Sequence, residues 1–219
     1  MRTTVAGGGT MTFPKLGYQY VAGGAYTDAG VRNAWKYVPF AVVPTVANQA
    51  LLFSQFSALV TAPPMDTSAV TTFNQMFYAC SALKNVPWYN TSNVTNFQST
   101  FHLCSSLQTI PLLDTSLATT VSNMFNSCTS LTTVPALNWT SVTNATSVFN
   151  NCTALTSIGV LNLKETFSIV GTQLNAAAIN TLFTNLGTVS GKTVTITGVP
   201  GAATCDRSIA TAKGWTVTG

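Results

Sequence analysis

Cys80, Cys104, Cys128 and Cys152 stand 24 residues apart, and no other feature constrains the fold of this chain so tightly. Phe77, Phe101, Phe125 and Phe149 keep the same interval, as do Leu83, Leu107, Leu131 and Leu155. Pro87, Pro111 and Pro135 follow, with Gly159 in the fourth place. One step earlier lie Phe53, Phe56 in the cysteine slot, Leu59 and Pro63. Five units therefore run without insertion from about Thr45 to Lys164. A unit this short cannot bury its own apolar face, so neighbours must stack on one another.

Within a unit, Phe73, Met76, Phe77, Cys80 and Leu83 recur at i, i+3, i+4, i+7 and i+10, which predicts one helical face. A short strand-like step follows ("LKNVP", "LQTIP", "LTTVP", "LTSIG"), then an Asx or Ser/Thr turn such as "MDTS" or "YNTS". One helix and one strand in 24 residues fits the leucine-rich-repeat class, whose repeats run about 20–29 residues. The expected fold is α/β: a solenoid of strand–helix units, a parallel sheet on one face and irregular caps at both ends.

The segments "NVTNFQSTFHLCSSLQTIPLLDTS" and "TVSNMFNSCTSLTTVPALNWTSVTN" resemble the BspA-like leucine-rich-repeat proteins of bacterial surfaces. Their repeats read approximately N-V-T-N-M-x-x-M-F-x-x-C-x-S-L-x-x-[IL]. The C-terminal stretch from Leu174 to Gly219 is similar to caps that accompany such repeats in bacteriophage structural proteins. The resemblance implies the fold. For function it implies a range, from adhesins to diversified phage proteins.

Three regions are expected. Residues 1–44 do not repeat and form an N-terminal arm or cap of loops and short strands, a candidate anchoring segment rich in aromatics. Residues 45–164 are the repeats, and 165–219 a C-terminal cap that continues them. In that cap Asn175 is a helix N-cap, and Ala178, Ile179, Leu182, Phe183 and Leu186 make an apolar stripe. Gly187 takes the left-handed C′ position. "KTVTITG" and "WTVTG" read as strands, with a short helix from about Cys205 to Ala212 and Gly214 as its stop. The last strand is a sheet edge, either satisfied by water or used as a docking edge.

Only 6% of residues are charged, against about 25% in ordinary soluble domains. The exposed surface must then be Ser, Thr, Asn and Gln, as in extracellular or particle-bound structural proteins. Nine scattered basic residues against five acids form no basic run, which argues against nucleic-acid binding. The N-terminus lacks the apolar stretch of a signal peptide, and no window approaches a membrane span. A chain made in a cytoplasm and not inserted in a membrane is expected, with a leader outside this sequence left open.

Catalytic and metal chemistry find few candidates. Cysteines spaced by 24 are not the Cys-x-x-Cys pairs of zinc sites. Strands stacked about 4.8 Å apart bring neighbouring Cys within bridging range. Phe56 in the equivalent slot nevertheless points to packing, with buried free thiols. His102, the single histidine, has no carboxylate or thiolate partner in sequence, and Asp114 belongs to the turn "DTS" seen also at Asp66. Those two acids sit two units apart, roughly 10 Å, too far for a retaining glycosidase pair. No glycine-rich phosphate loop occurs, and Asn-x-Ser/Thr sequons at Asn90, Asn93, Asn138, Asn144 and Asn151 follow from the repeat composition. No enzyme, no cofactor and no metal are expected.

Departures from the repeat carry more. After the strand step the slots hold Pro64-Met65, Trp88-Tyr89, Leu112-Leu113, Ala136-Leu137 and Val160-Leu161. Trp88 and Tyr89 place aromatics where other units have aliphatics, and Trp139 replaces the turn threonine of Thr91 and Thr115. Trp88, Tyr89 and Trp139 are the candidate binding residues, for a glycan or a protein, with core filling at the flank as the other reading. Trp35, Tyr37, Phe40 and Trp215 are the candidate anchoring residues. The expected function is a structural or adhesive module of a virion (tail, fibre or capsid-decorating protein), in contact with other virion proteins or a host-surface protein or glycan. Self-association within an assembly is left open. The alternatives are a bacterial surface adhesin and, more remotely, a glycan-active enzyme.

Overall fold

The computed structural model describes residues 10–12, 19–21 and 50–219. Two short strands, β1 (Thr10–Thr12) and β2 (Gln19–Val21), pair antiparallel with Thr10 opposite Val21. Trp35, Tyr37 and Phe40 of the expected anchor, and the proposed covering of the first unit, lie outside the described residues.

Successive units lie on one another with their main chains paired in parallel. Thr72 bridges Asn96, Asn96 bridges Thr120 and Thr120 bridges Asn144. On the strand step, β3 (Thr133–Val134) pairs with β4 (Ser157–Ile158), Thr133 opposite Ser157. Phe53, Phe77, Phe101, Phe125 and Phe149 stack face to face, with centroids 5.5 to 6.1 Å apart and planes within 9°. Leu59, Leu83, Leu107, Leu131 and Leu155 are fully buried beside them. One apolar column per repeat position thus runs the length of the stack, which is why each unit depends on its neighbours.

The helix expected in each unit is not formed. Residues 73–80 and their equivalents are a succession of turns containing two left-handed residues four apart: Gln75 and Ala79 (φ 54° and 56°), Ser99 and Leu103, Asn123 and Ser127. Alternate N–H groups leave the unit, Phe73, Gln75, Phe77 and Ala79 donating to the carbonyls of Asn96, Gln98, Thr100 and His102. Those between stay local, Met76, Tyr78 and Cys80 donating to Phe73, Gln75 and Phe77. A helix would keep every one of these bonds inside the segment. Here half of them tie one unit to the next, which offsets the steric cost of a non-glycine residue at positive φ. Side chains at i, i+4 and i+7 still face inward, so the apolar spacing is the same for both conformations.

The C-terminal part has regular elements. Strands β5 (Phe167–Ser168), β6 (Lys192–Thr195) and β7 (Trp215–Thr218) form a parallel sheet in that order, with Val194 of β6 opposite both Phe167 and Val217. Helix α1 (Ala176–Asn185) connects β5 to β6 and α2 (Ser208–Thr211) connects β6 to β7. The Asn175 side chain accepts from the Ala178 N–H at 2.9 Å, the expected N-cap, and Ile179, Leu182, Phe183 and Leu186 are buried. Gly187 is not left-handed; a Cβ there would meet Lys164 Cγ at 2.6 Å, so close approach explains the glycine. Gly214 does turn the chain at φ +84°, against the Val189 carbonyl. Lys213 donates from Nζ to the Leu186 carbonyl at 2.8 Å and also to the Thr184 carbonyl, satisfying orphan carbonyls at the end of α1.

Candidate binding flank at Trp88 and Leu112

The segment after each strand step is extended, so consecutive side chains point to opposite sides. Tyr89, Leu113 and Leu137 turn inward and are buried, while Trp88 is 67% exposed and Leu112 59% exposed. Ala136 follows them outward in the next unit. In the fifth unit the order reverses, with Val160 buried and Leu161 half-exposed. Trp88, Leu112 and Ala136 therefore form a row on one flank. They share a shallow open depression of about 340 Å³ with Asp114, Ser116 and Asn138.

The polar side of this depression is held by repeated turns. One carboxylate oxygen of Asp114 accepts from the Ser116 N–H at 3.0 Å and Oγ at 2.7 Å. Asn138 does the same with Thr140, Asn90 with Ser92, and Asp66 with Ser68. The hydroxyl and then the N–H of Ser116 hold the Asp114 carboxyl below the usual carboxylate range, so it is charged at neutral pH. Beneath the turns, Thr67, Thr91 and Thr115 are buried and donate from Oγ1 to the carbonyls of Asn90, Asp114 and Asn138 in the next unit, at 2.8 to 2.9 Å.

Two of the three expected binding aromatics are core residues instead. Tyr89 lies under Phe73 and Phe77, its ring nearly parallel to Phe77 at 6.2 Å, and its hydroxyl donates to the Pro63 carbonyl at 2.7 Å. Burial pushes its phenol pKa up. Trp139 fills the fourth place of the buried threonine column, stacked on Phe149 at 5.7 Å, and its indole Nε1 has no partner among the described residues. Neither side chain reaches solvent to bind anything. Trp88 remains, and Leu112 joins it. The signal for Leu112 was present in the slots: the second residue of each pair is always large and apolar, while the first ranges from Pro to Trp, as an outward position does. Trp215, named as an anchor, is also buried, edge-on to Phe167, with Nε1 donating to the Gly187 carbonyl at 2.8 Å.

The cysteine column has a use that spacing alone did not reveal. Cys80, Cys104, Cys128 and Cys152 are buried free thiols, and each Sγ lies 3.0 Å from the carbonyl of Phe53, Phe77, Phe101 or Phe125 in the preceding unit. Burial raises the thiols of Cys80 and Cys152 to about 12 and lifts Cys104 and Cys128 well above the ordinary range, so all four stay protonated donors. His102 is partly buried edge-on to Tyr78, centroids 5.3 Å apart, and burial lowers its pKa. Among the described residues no three His, Cys, Asp or Glu side chains converge as metal ligands, and no helix is long and apolar enough to cross a membrane.

What the described residues define is a repeat protein of 24-residue rungs, rich in uncharged polar side chains outside, with Trp88 and Leu112 adjacent on one flank. Residues 49–161, just over half of the chain, match the family described as Mycoplasma protein of unknown function, DUF285, and the chain belongs to that family. No curated protein and no solved structure matches it.

Proposed function

We propose that the chain is a non-catalytic contact module: a leucine-rich-repeat solenoid of the BspA-like kind that presents the Trp88–Leu112 flank to a partner. The observation that carries this reading is Trp88 beside Leu112, the two most exposed large apolar side chains among the described residues, adjacent on a surface rich in Ser, Thr and Asn. Water leaves such a pair at little cost when a partner covers it. The described acids support a non-catalytic role, since each is engaged structurally. Asp66 and Asp114 close turns, Glu165 pairs with Lys192 at 2.7 Å, and Asp206 accepts from the Ser208 N–H at the start of α2.

The sparse charge and the resemblance of the C-terminal cap to phage structural proteins favour a virion component, a tail, fibre or capsid-decorating protein made in the host cytoplasm. The resemblance of the repeats to BspA-like surface proteins favours a second reading, an adhesin on a bacterial surface. Antibody labelling of purified particles and of cell envelopes separates them. Label at regular particle positions supports the first reading and label confined to envelopes the second. A chain found only free in the cytosol would overturn both.

A further inference from the structure

We infer that the depression at Trp88 binds a neutral sugar, one or two pyranose rings of a surface glycan. The inference rests on the contact-module reading and adds the chemistry of the partner. An exposed indole with Leu112 beside it offers a flat apolar platform, which suits the C–H face of a pyranose ring, an object apolar on its faces and polar at its rim. The platform is bordered by groups that bind hydroxyls: the Asp114 carboxylate, the Asn138 amide and the Ser116 hydroxyl. Their positions are set by the repeated turns and by the buried threonine bonds beneath, so the rim is organised before any ligand arrives.

Charge narrows the class. Between Asp66 and Lys164 the only charged residues are Lys84 and Asp114. No Lys or Arg lines the depression, and Asp114 is ionised there, so a phosphate, a sialic acid or a uronic acid would meet repulsion without a compensating cation. One aromatic ring is too few for the cage that holds a quaternary ammonium. Size favours a sugar over a protein. About 340 Å³ is at the small end of ligand pockets. Trp88, Leu112 and Ala136 alone fall far short of the roughly 800 Å² per partner of a stable protein interface.

The test uses the full chain. Trp139 and Trp215 are buried and Trp35 lies outside the described residues, so a ligand-induced change in tryptophan emission is assigned to Trp88 by its loss in Trp88→Ala. Cellotriose, chitotriose and mannotriose are titrated to about 10 mM, following emission and heat, beside a trisaccharide carrying a uronic acid. Saturable binding of at least one neutral probe is expected, weakened about tenfold or more by Trp88→Ala, unchanged by Leu103→Ala, with the uronic-acid probe not bound. Binding that persists unchanged in Trp88→Ala, or no saturation with any neutral probe, overturns the inference. If no probe binds while retention of the chain on host cells still depends on Trp88, the contact reading stands and the sugar is replaced by a protein. If retention ignores Trp88, that reading falls with it.

Discussion

Truncating Cys128 tests whether the cysteine column is packing or chemistry. Its side chain is fully buried between Cys104 and Cys152, with Sγ 3.0 Å from the Phe101 carbonyl. That carbonyl also accepts the Cys104 N–H at 3.0 Å, so removing the thiol leaves no orphaned acceptor. Cys128→Ala therefore loses one methylene-sized group, a weak S–H donor and some packing around a small void, about 1–2 kcal/mol in all. Cys128→Ser keeps a donor in the same geometry, as Thr100 does when Oγ1 donates to the Phe73 carbonyl at 3.1 Å, and should cost about 1 kcal/mol. Cys128→Phe copies Phe56 of the first unit, but an interior unit has a neighbour on each side, and about 3 kcal/mol or more is expected. Urea unfolding with an unchanged slope measures all three. Thiol labelling adds a second readout: one reactive group in the native protein, half-exposed Cys205, and five after unfolding without reductant. A loss above about 4 kcal/mol for both Ala and Ser, or fewer than five thiols after unfolding, would refute the packing account.

Other consequences follow from the repeated geometry. Leu103 is exposed and left-handed, so Leu103→Gly should raise stability by about 0.5–1 kcal/mol in the same urea assay; a loss would mean that its side chain packs. Asp66 and Asp114 have lowered folded-state pKa values, so their contribution is complete above the unfolded Asp value of about 3.9 and is lost as pH falls through the folded value. The double variant Asp66→Asn/Asp114→Asn should fold, because Asn90 and Asn138 close the same turn, and its stability should vary less with pH below about 4. Deleting residues 119–142 joins Ala118 to Thr143 in register, replacing Ala136 and Asn138 by Val160 and Asn162. Circular dichroism and melting should show a cooperative fold of reduced stability, whereas deleting 12 residues should abolish it.

The repeat register, the Phe, Leu and Cys columns, the Asn175 cap and the last two strands were legible because each rests on spacing or on local side-chain chemistry. The conformation of residues 73–80 was not. Apolar residues three and four apart suit a helix and a stack of turns equally, and Gln75, Ala79, Ser99 and Leu103 carry no sequence mark of positive φ. The deciding bonds lie in the next unit, 23 residues away. The same holds for the cysteines, whose acceptor carbonyls are 27 residues back, and for Trp139, whose turn slot carries no sequence mark of being buried. At the candidate flank, the alternation of an extended segment separates inward Tyr89 and Leu113 from outward Trp88 and Leu112, a distinction legible in the sequence because the second residue of each pair is always large and apolar.

The most direct test of the central claim is retention of the labelled full chain on host cells or purified particles, wild type against Trp88→Ala. Trp88 is 67% exposed, so its truncation should leave the melting temperature essentially unchanged. Retention should then fall about tenfold or more, as expected for a tryptophan anchor. Equal retention of the two proteins would contradict the claim that this flank is the contact face.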